Sequence, residues 1–214
     1  MTDTTTDSQG VRPHAGIPLE HPDAETAHAT ERAVFGFWIF LMSDLVVFAL
    51  LLATYAVLLK GNSSAPGPAE VIELAYAFPE TLLLLTSTLT LTFATVALRE
   101  DRARGVYGWT FLSLALGAGF LALEGAEFAG LINKGHVPQV NGFLSGYWLA
   151  IGTHGLHVAI GVVWGLILIA QFWIYGFCPA IRSRLVRFSL YWHMLDVVWI
   201  AIFTVIYLPG SLVS

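Results

Sequence analysis

Between Ala33 and Leu208 the chain passes through five apolar stretches, at about 33–59, 77–98, 106–132, 143–175 and 186–208. Each has the roughly 20 apolar residues that a helix needs to cross a hydrocarbon core. Hydrophobic residues make up 56% of the chain and charged residues 12%, with a mean hydropathy of +0.70. Soluble domains carry roughly 25% charged residues, so the composition agrees with the pattern. Within lipid every backbone polar group must be satisfied by protein, which leaves helices or closed barrels. Spans of this length predict an all-α polytopic membrane protein. Residues 33–210 would form a five-transmembrane-helix bundle and residues 1–32 a polar cytoplasmic tail.

Several classes of function are set aside at once. The net charge of −5 leaves no basic surface for nucleic acid. Cys178 is the single cysteine, so the chain has no intrachain disulfide, CxxC metal site or CxxCH haem attachment. Residues 1–32 contain no apolar core and do not read as a cleavable signal peptide. The spacing of seven between His14, His21 and His28 is at most a weak metal-binding strip.

Orientation follows from the connectors. With the N-terminus inside, that side holds Arg12, Arg32, Arg99, Arg102, Arg104, Arg182, Arg184 and Arg187, and the other only Lys60 and Lys134. This asymmetry predicts a cytoplasmic N-terminus and a periplasmic C-terminus. Small residues predict where helices meet: Ala118, Ala122, Ala126 and Gly130, then Gly142, Gly146 and Ala150, then Gly161 and Gly165. Trp38, Trp109 and Tyr207 stand near span ends, where interface anchors belong.

Ionisable residues inside spans are costly and are functional candidates by default. The set is Asp44, Glu80, Glu124, Glu127, His154, His157, His193 and Asp196. The last six form three i,i+3 pairs, in EGAE, HGLH and HMLD, each with both side chains on one helix face. A rise of about 1.5 Å per residue puts Asp44, Glu124, His154 and Asp196 all near mid-membrane, where one network is expected to join them. Three chemistries compete for it. A di-metal carboxylate centre needs Glu-x-x-His on two helices, and none occurs. A haem held between His154 and His193 is geometrically open. The plainest reading is that imidazoles and carboxyls satisfy one another and backbone carbonyls at helix crossings. The hydroxyl run Thr81, Thr86, Ser87, Thr88, Thr90, Thr92 and Thr95 is expected to bond preceding carbonyls or a neighbouring helix. Five spans show no repeated halves of the kind many transporters have.

Three stretches carry a resemblance. GTHGLHVAIG at 152–161 and YWHMLDVVWIAIFTVIY at 191–207 closely resemble signature stretches of subunit III of the haem–copper respiratory oxidases. FGFWIFLMSDLVVFALLLATYAVLL at 35–59 resembles the first span of the bacterial five-helix form, as in cytochrome o-type ubiquinol oxidases. The likeness runs from about His21 to Gly210. It implies a chain with no redox cofactor and no catalytic residue of its own. Haems and copper would sit in a catalytic subunit I, with a subunit II and a small subunit IV as further partners. Phospholipid would occupy a cleft between helices, and the chain would support the stability and proton uptake of subunit I. The complex would lie in a bacterial inner membrane, oxidise ubiquinol, reduce oxygen to water and pump protons. Asp44 falls where cytochrome c oxidase relatives carry a buried, carbodiimide-reactive glutamate, while Glu127, His154, His157, His193 and Asp196 match directly. The alternatives are a five-helix cytochrome c oxidase subunit III, a nitric oxide reductase accessory protein, or a stand-alone di-metal membrane enzyme.

Overall fold

The computed structural model describes residues 24–60, 67–72, 74–176 and 178–209. The chain forms α1 (Ala24–Lys60), a one-turn α2 (Pro68–Val71), α3 (Leu74–Arg99), α4 (Ala103–Asn133), α5 (Gly142–Tyr175) and α6 (Pro179–Ile202). A π turn, Phe203–Tyr207, continues α6. Five of these helices are long and apolar enough to span a membrane, and no strand occurs among the described residues. The five expected spans are all present. The motif of His14, His21 and His28 lies outside the described side chains.

The helix ends differ from the apolar limits for local reasons. α1 begins at Ala24, before its apolar span, because AETAHATER is rich in strong helix formers. α3 begins at Leu74, so Pro79 lies inside it. The ring costs one helical bond, to the Ala75 carbonyl. α5 opens on Asn141, whose side chain accepts the Leu144 amide at 2.8 Å, the usual N-cap device. α6 opens on Pro179 at its first position, where a missing N–H costs nothing. Between α3 and α4, Asp101 takes a left-handed φ of 56°, and its carboxylate pairs with Arg182 on α6.

α3 and α4 form the tightest antiparallel pair, α6 packs on α3 and α5, and α1 lies outermost against α5 and α6. Two tryptophans of α6, Trp192 and Trp199, are the largest buried side chains. A Cβ added at Gly117 on α4 would lie 2.6 Å from the Trp192 ring, and one at Gly161 on α5 would lie 2.9 Å from it. The indole therefore fills the gap left by two glycines. Its N–H donates to Ser87 Oγ on α3 at 2.9 Å, and Ser87 donates to the Ser113 carbonyl on α4 at 2.8 Å. Four helices meet at this one ring.

The small-residue expectation holds for α5 and fails for α4. A Cβ added at Gly146 would lie 3.2 Å from the Tyr55 Cα, and one added at Gly165 would meet Leu114 and Phe188. Ala118, Ala122 and Ala126 are instead exposed, and Gly130 has no neighbour at its Cβ position. The buried face of α4 is Gly117, Phe120, Glu124, Glu127 and Leu131. Large polar residues, each accommodated by a neighbour, turn that face inward, and the alanines are carried outward.

Gly117→Val is expected to lower the stability of the folded chain in detergent by about 1–3 kcal/mol, the usual cost of overpacking. Gly125→Ala, where a Cβ meets nothing within 4 Å, is expected to be neutral or slightly stabilising. Thermal unfolding followed by circular dichroism compares them.

Candidate functional site

The eight ionisable candidates are placed by five different helices and divide into separate groups. On the α1–α5 crossing, His157 Nε2 lies 3.4 Å from Asp44 Oδ2. His157 Nδ1 donates to the Thr153 carbonyl one turn back at 2.7 Å. Because that N–H is committed, a bond between Nε2 and Oδ2 requires one further proton, held as imidazolium or as carboxylic acid. The Tyr191 hydroxyl of α6 donates to the His157 carbonyl at 2.9 Å, so a third helix closes on the pair.

His154, one turn earlier, is fully buried and neither ring nitrogen has a hydrogen-bond partner. Its ring is surrounded by Phe48, Phe120 and Trp199, at centroid distances of 6.1, 5.8 and 5.3 Å. The expectation that every imidazole is tied to a carboxyl or carbonyl is met by His157 and not by His154. The i,i+3 spacing explains the split, since it separates two side chains by about 60° around the axis. Here that angle is enough to turn His157 toward α1 and His154 toward α4 and α6.

Three carboxyls gather between α3, α4, α5 and the π turn. Glu127 accepts Tyr147 Oη on Oε1 at 2.9 Å and Tyr207 Oη on Oε2 at 3.1 Å. Glu80 is fully buried, and neither of its oxygens has a partner. Glu124 is 4% exposed, one of its oxygens is likewise unpartnered, and its carboxyl occupies the space a Cβ on Gly155 would take. The three are within electrostatic reach of one another. Glu80 is only the fourth residue of the apolar stretch expected at 77–98. The earlier start of α3 carries it a full turn inside.

The fourth group joins α6 to α3. His193 Nδ1 donates to the Ser189 carbonyl at 2.6 Å, and Nε2 lies 3.3 Å from Thr92 Oγ1. Asp196 lies beside Thr88 and His193. Thr90, Thr92 and Thr95 bond preceding carbonyls as expected, and Thr81 bonds the Ala77 carbonyl at 2.7 Å and accepts the Trp199 N–H at 3.0 Å, whereas Thr88 Oγ1 is buried without a hydrogen-bond partner.

The single network expected of Asp44, Glu124, His154 and Asp196 is thus four groups, with Phe48, Phe120 and Trp199 among them. Depth follows from residue count, but direction around each helix does not. Among the described residues no three His, Cys, Asp or Glu side chains converge to hold a metal ion. The residue-level reading missed Tyr147 and Tyr207. Tyr207 was expected to be an interface anchor, yet it is fully buried with its hydroxyl on Glu127. One π turn adds a residue's rotation, about 100°, and Tyr207 is the last residue of that turn. A clue to Tyr147 was its place seven residues before His154, two turns along the same face.

Comparison with known proteins gives a consistent result. The profile of the family described as cytochrome c oxidase subunit III matches residues 22–211. The chain is 44% identical over 182 residues to cytochrome bo(3) ubiquinol oxidase subunit 3 of Pseudomonas putida, covering 85% of this chain and 88% of that protein. It is 38% identical to quinol oxidase subunit 3 of Bacillus subtilis, covering 92% and 95%. It is also 38% identical to cytochrome c oxidase subunit 3 of Bacillus sp. (strain PS3), covering 88% and 93%.

Gly155→Ala is expected to destabilise the fold by about 1–3 kcal/mol by displacing the Glu124 carboxyl. Adding Glu124→Ala should recover most of that loss. A double-mutant cycle measures the coupling, and simple additivity would show that the two residues do not compete for one space.

Proposed function

The chain belongs to the cytochrome c oxidase subunit III family, and from that premise we propose that it serves as the non-catalytic subunit III of a proton-pumping ubiquinol oxidase. The complex oxidises ubiquinol, reduces oxygen to water and moves protons outward across a bacterial inner membrane. Haems and copper reside in subunit I, which this chain supports together with subunit II and a small subunit IV. The N-terminus is cytoplasmic and the C-terminus periplasmic. The arginine asymmetry of the connectors supports that orientation. The higher identity to the Pseudomonas putida ubiquinol oxidase subunit than to the Bacillus sp. cytochrome c oxidase subunit supports the donor.

One observation carries the scaffold reading: the partnered ionisable side chains are spread over several different helix crossings. Asp44 and His157 fasten α1 to α5, Glu127 gathers Tyr147 of α5 and Tyr207 of the π turn, and His193 reaches Thr92 of α3. Beside them a cleft of about 220 Å³ opens between α1 and α6, lined by Trp38, Leu41, Met42, Leu45, Met194 and Val197 among others. Its apolar walls suit a phospholipid acyl chain. Within this reading the chain contributes packing surface, lipid retention and support for proton uptake by subunit I.

Purification of the chain with its partners and identification of the electron donor test the assignment. Ubiquinol-driven oxygen consumption is expected, and a complex driven only by cytochrome c would overturn it. Stoichiometric iron, copper or haem in the isolated chain would overturn the scaffold role. Asp44→Asn is expected to reduce lipid retention and subunit association while leaving the initial turnover of an intact complex unchanged. Immediate, complete loss of oxygen consumption would argue against that division of labour.

A further inference from the structure

The carboxyls gathered between α3, α4, α5 and the π turn are short of hydrogen-bond donors. Tyr147 and Tyr207 both donate to Glu127, whose charge they can support. Glu80 is fully buried with both oxygens unpartnered, and Glu124 has one unpartnered oxygen as well. Glu80 lies within electrostatic reach of Glu124, Glu127, Tyr147 and Tyr207, so its carboxyl points into the cluster. A buried carboxylate with no donor is strongly disfavoured. A carboxylic acid is tolerated, and its O–H supplies a donor that the cluster otherwise lacks.

The cluster also has an entrance. A cavity of about 80 Å³ lies where α3 begins and α4 ends, lined by Val71, Tyr76, Ala126, Glu127, Gly130 and Lys134 among others. Tyr76, Ala126 and Lys134 are exposed at its rim, whereas Glu127 is 5% exposed. Lys134 follows Glu127 by two turns on one helix face, so the cavity leads roughly 10 Å from the polar end of α4 to the carboxyl. It has room for a few water molecules. The ammonium at the rim opposes entry of a metal cation, and among the described residues no set of three ligands converges to hold one. Water meets no such barrier. The titratable groups facing the cluster are Glu80 from α3, Glu124, Glu127 and Lys134 from α4, Tyr147 from α5 and Tyr207 from the π turn. His154 of α5 stands next to Gly155, against which Glu124 presses.

We infer that the cluster is a proton-holding site in exchange with the aqueous phase on the Lys134 side of the membrane. A proton from water in the cavity joins a Glu127 oxygen, is shared with Glu124 and Glu80, and leaves by the same route. Only O–H bonds form and break. The site opens at the end of the bundle opposite the arginine-rich connectors and does not depend on which electron donor the complex uses.

The test uses the full complex in sealed vesicles of known orientation, with the carbonyl stretch of protonated carboxyls followed by infrared difference spectroscopy. Glu80→Gln keeps the size and neutrality of a carboxylic acid, so the variant is expected to assemble and to lose one protonated-carboxyl band of the wild type. Glu124→Gln gives a second, independent reading of the same kind. Raising the pH on the Lys134 side alone is expected to diminish the band, while an equal step on the other side leaves it unchanged. Gly130→Leu puts a side chain into the cavity at a position where a Cβ meets nothing within 4 Å, and should slow that response severalfold without shifting the band. No band lost in either glutamine variant, or failure of both to assemble, would show that the carboxyls are charged and overturn the proposal. A band that responds to neither side would make the cluster a closed packing element. A response to sodium ions at constant pH would reassign it to a metal cation, and an unslowed response in Gly130→Leu would overturn the cavity as the route.

Discussion

Lipid offers no hydrogen bonds and little drive to bring apolar helices together, so the crossings in this bundle depend on shape and on polar contacts that close on themselves. Trp192 shows both at one point. Gly117 and Gly161 clear the space for its ring, and Ser87 takes up its N–H while donating onward to α4. An indole whose N–H lacked a partner would be a liability in hydrocarbon. A glycine pair with nothing to fill it would leave a void. Each half of the arrangement makes the other tolerable, and α6 is thereby fixed at the centre of the fold.

The spans, their number and the ionisable set were legible in the sequence, because length and burial of charge are one-dimensional properties. Angular placement was not. The alanine ladder on α4 looked like a packing face by spacing, yet Phe120, Glu124 and Glu127 occupy the inward face. Spacing shows that residues share a face but not which way that face points. Tyr207 was misread for a related reason. A position near a span end suggests the interface, but the π turn ends on Tyr207, which points inward at Glu127. Such a turn leaves no mark in the pattern of apolar residues.

The two ends of the bundle are built differently. At the end where α3 begins and the π turn closes α6, carboxyls and phenols are enclosed by protein. At the other end, basic side chains face outward, and the Arg182–Asp101 pair ties the α3–α4 turn to α6. The enclosed acids raise the cost of separating helices, because each would be exposed to lipid, and Glu127 would also lose its two phenol partners. The outward arginines cost little, since a long basic side chain can lay its stem along apolar surface and keep its charge in the polar layer. Polar residues therefore hold the bundle together at one end and present it to its surroundings at the other.

The paired motifs bear most directly on the division between scaffold and catalyst. A metal centre requires side chains from several helices to converge on one point. Two of the three i,i+3 pairs here diverge. His157 turns to Asp44 of α1 while His154 is enclosed by Phe48, Phe120 and Trp199. Glu127 takes two tyrosine hydroxyls while Glu124 presses against Gly155. In each case two neighbouring residues on one helix bind that helix to different partners. Several helices can be locked in this way with few polar groups, because one such pair can serve more than one crossing. Divergence of this kind is what a packing element needs, and it explains how the described residues include so many buried ionisable groups without three of them converging on one point.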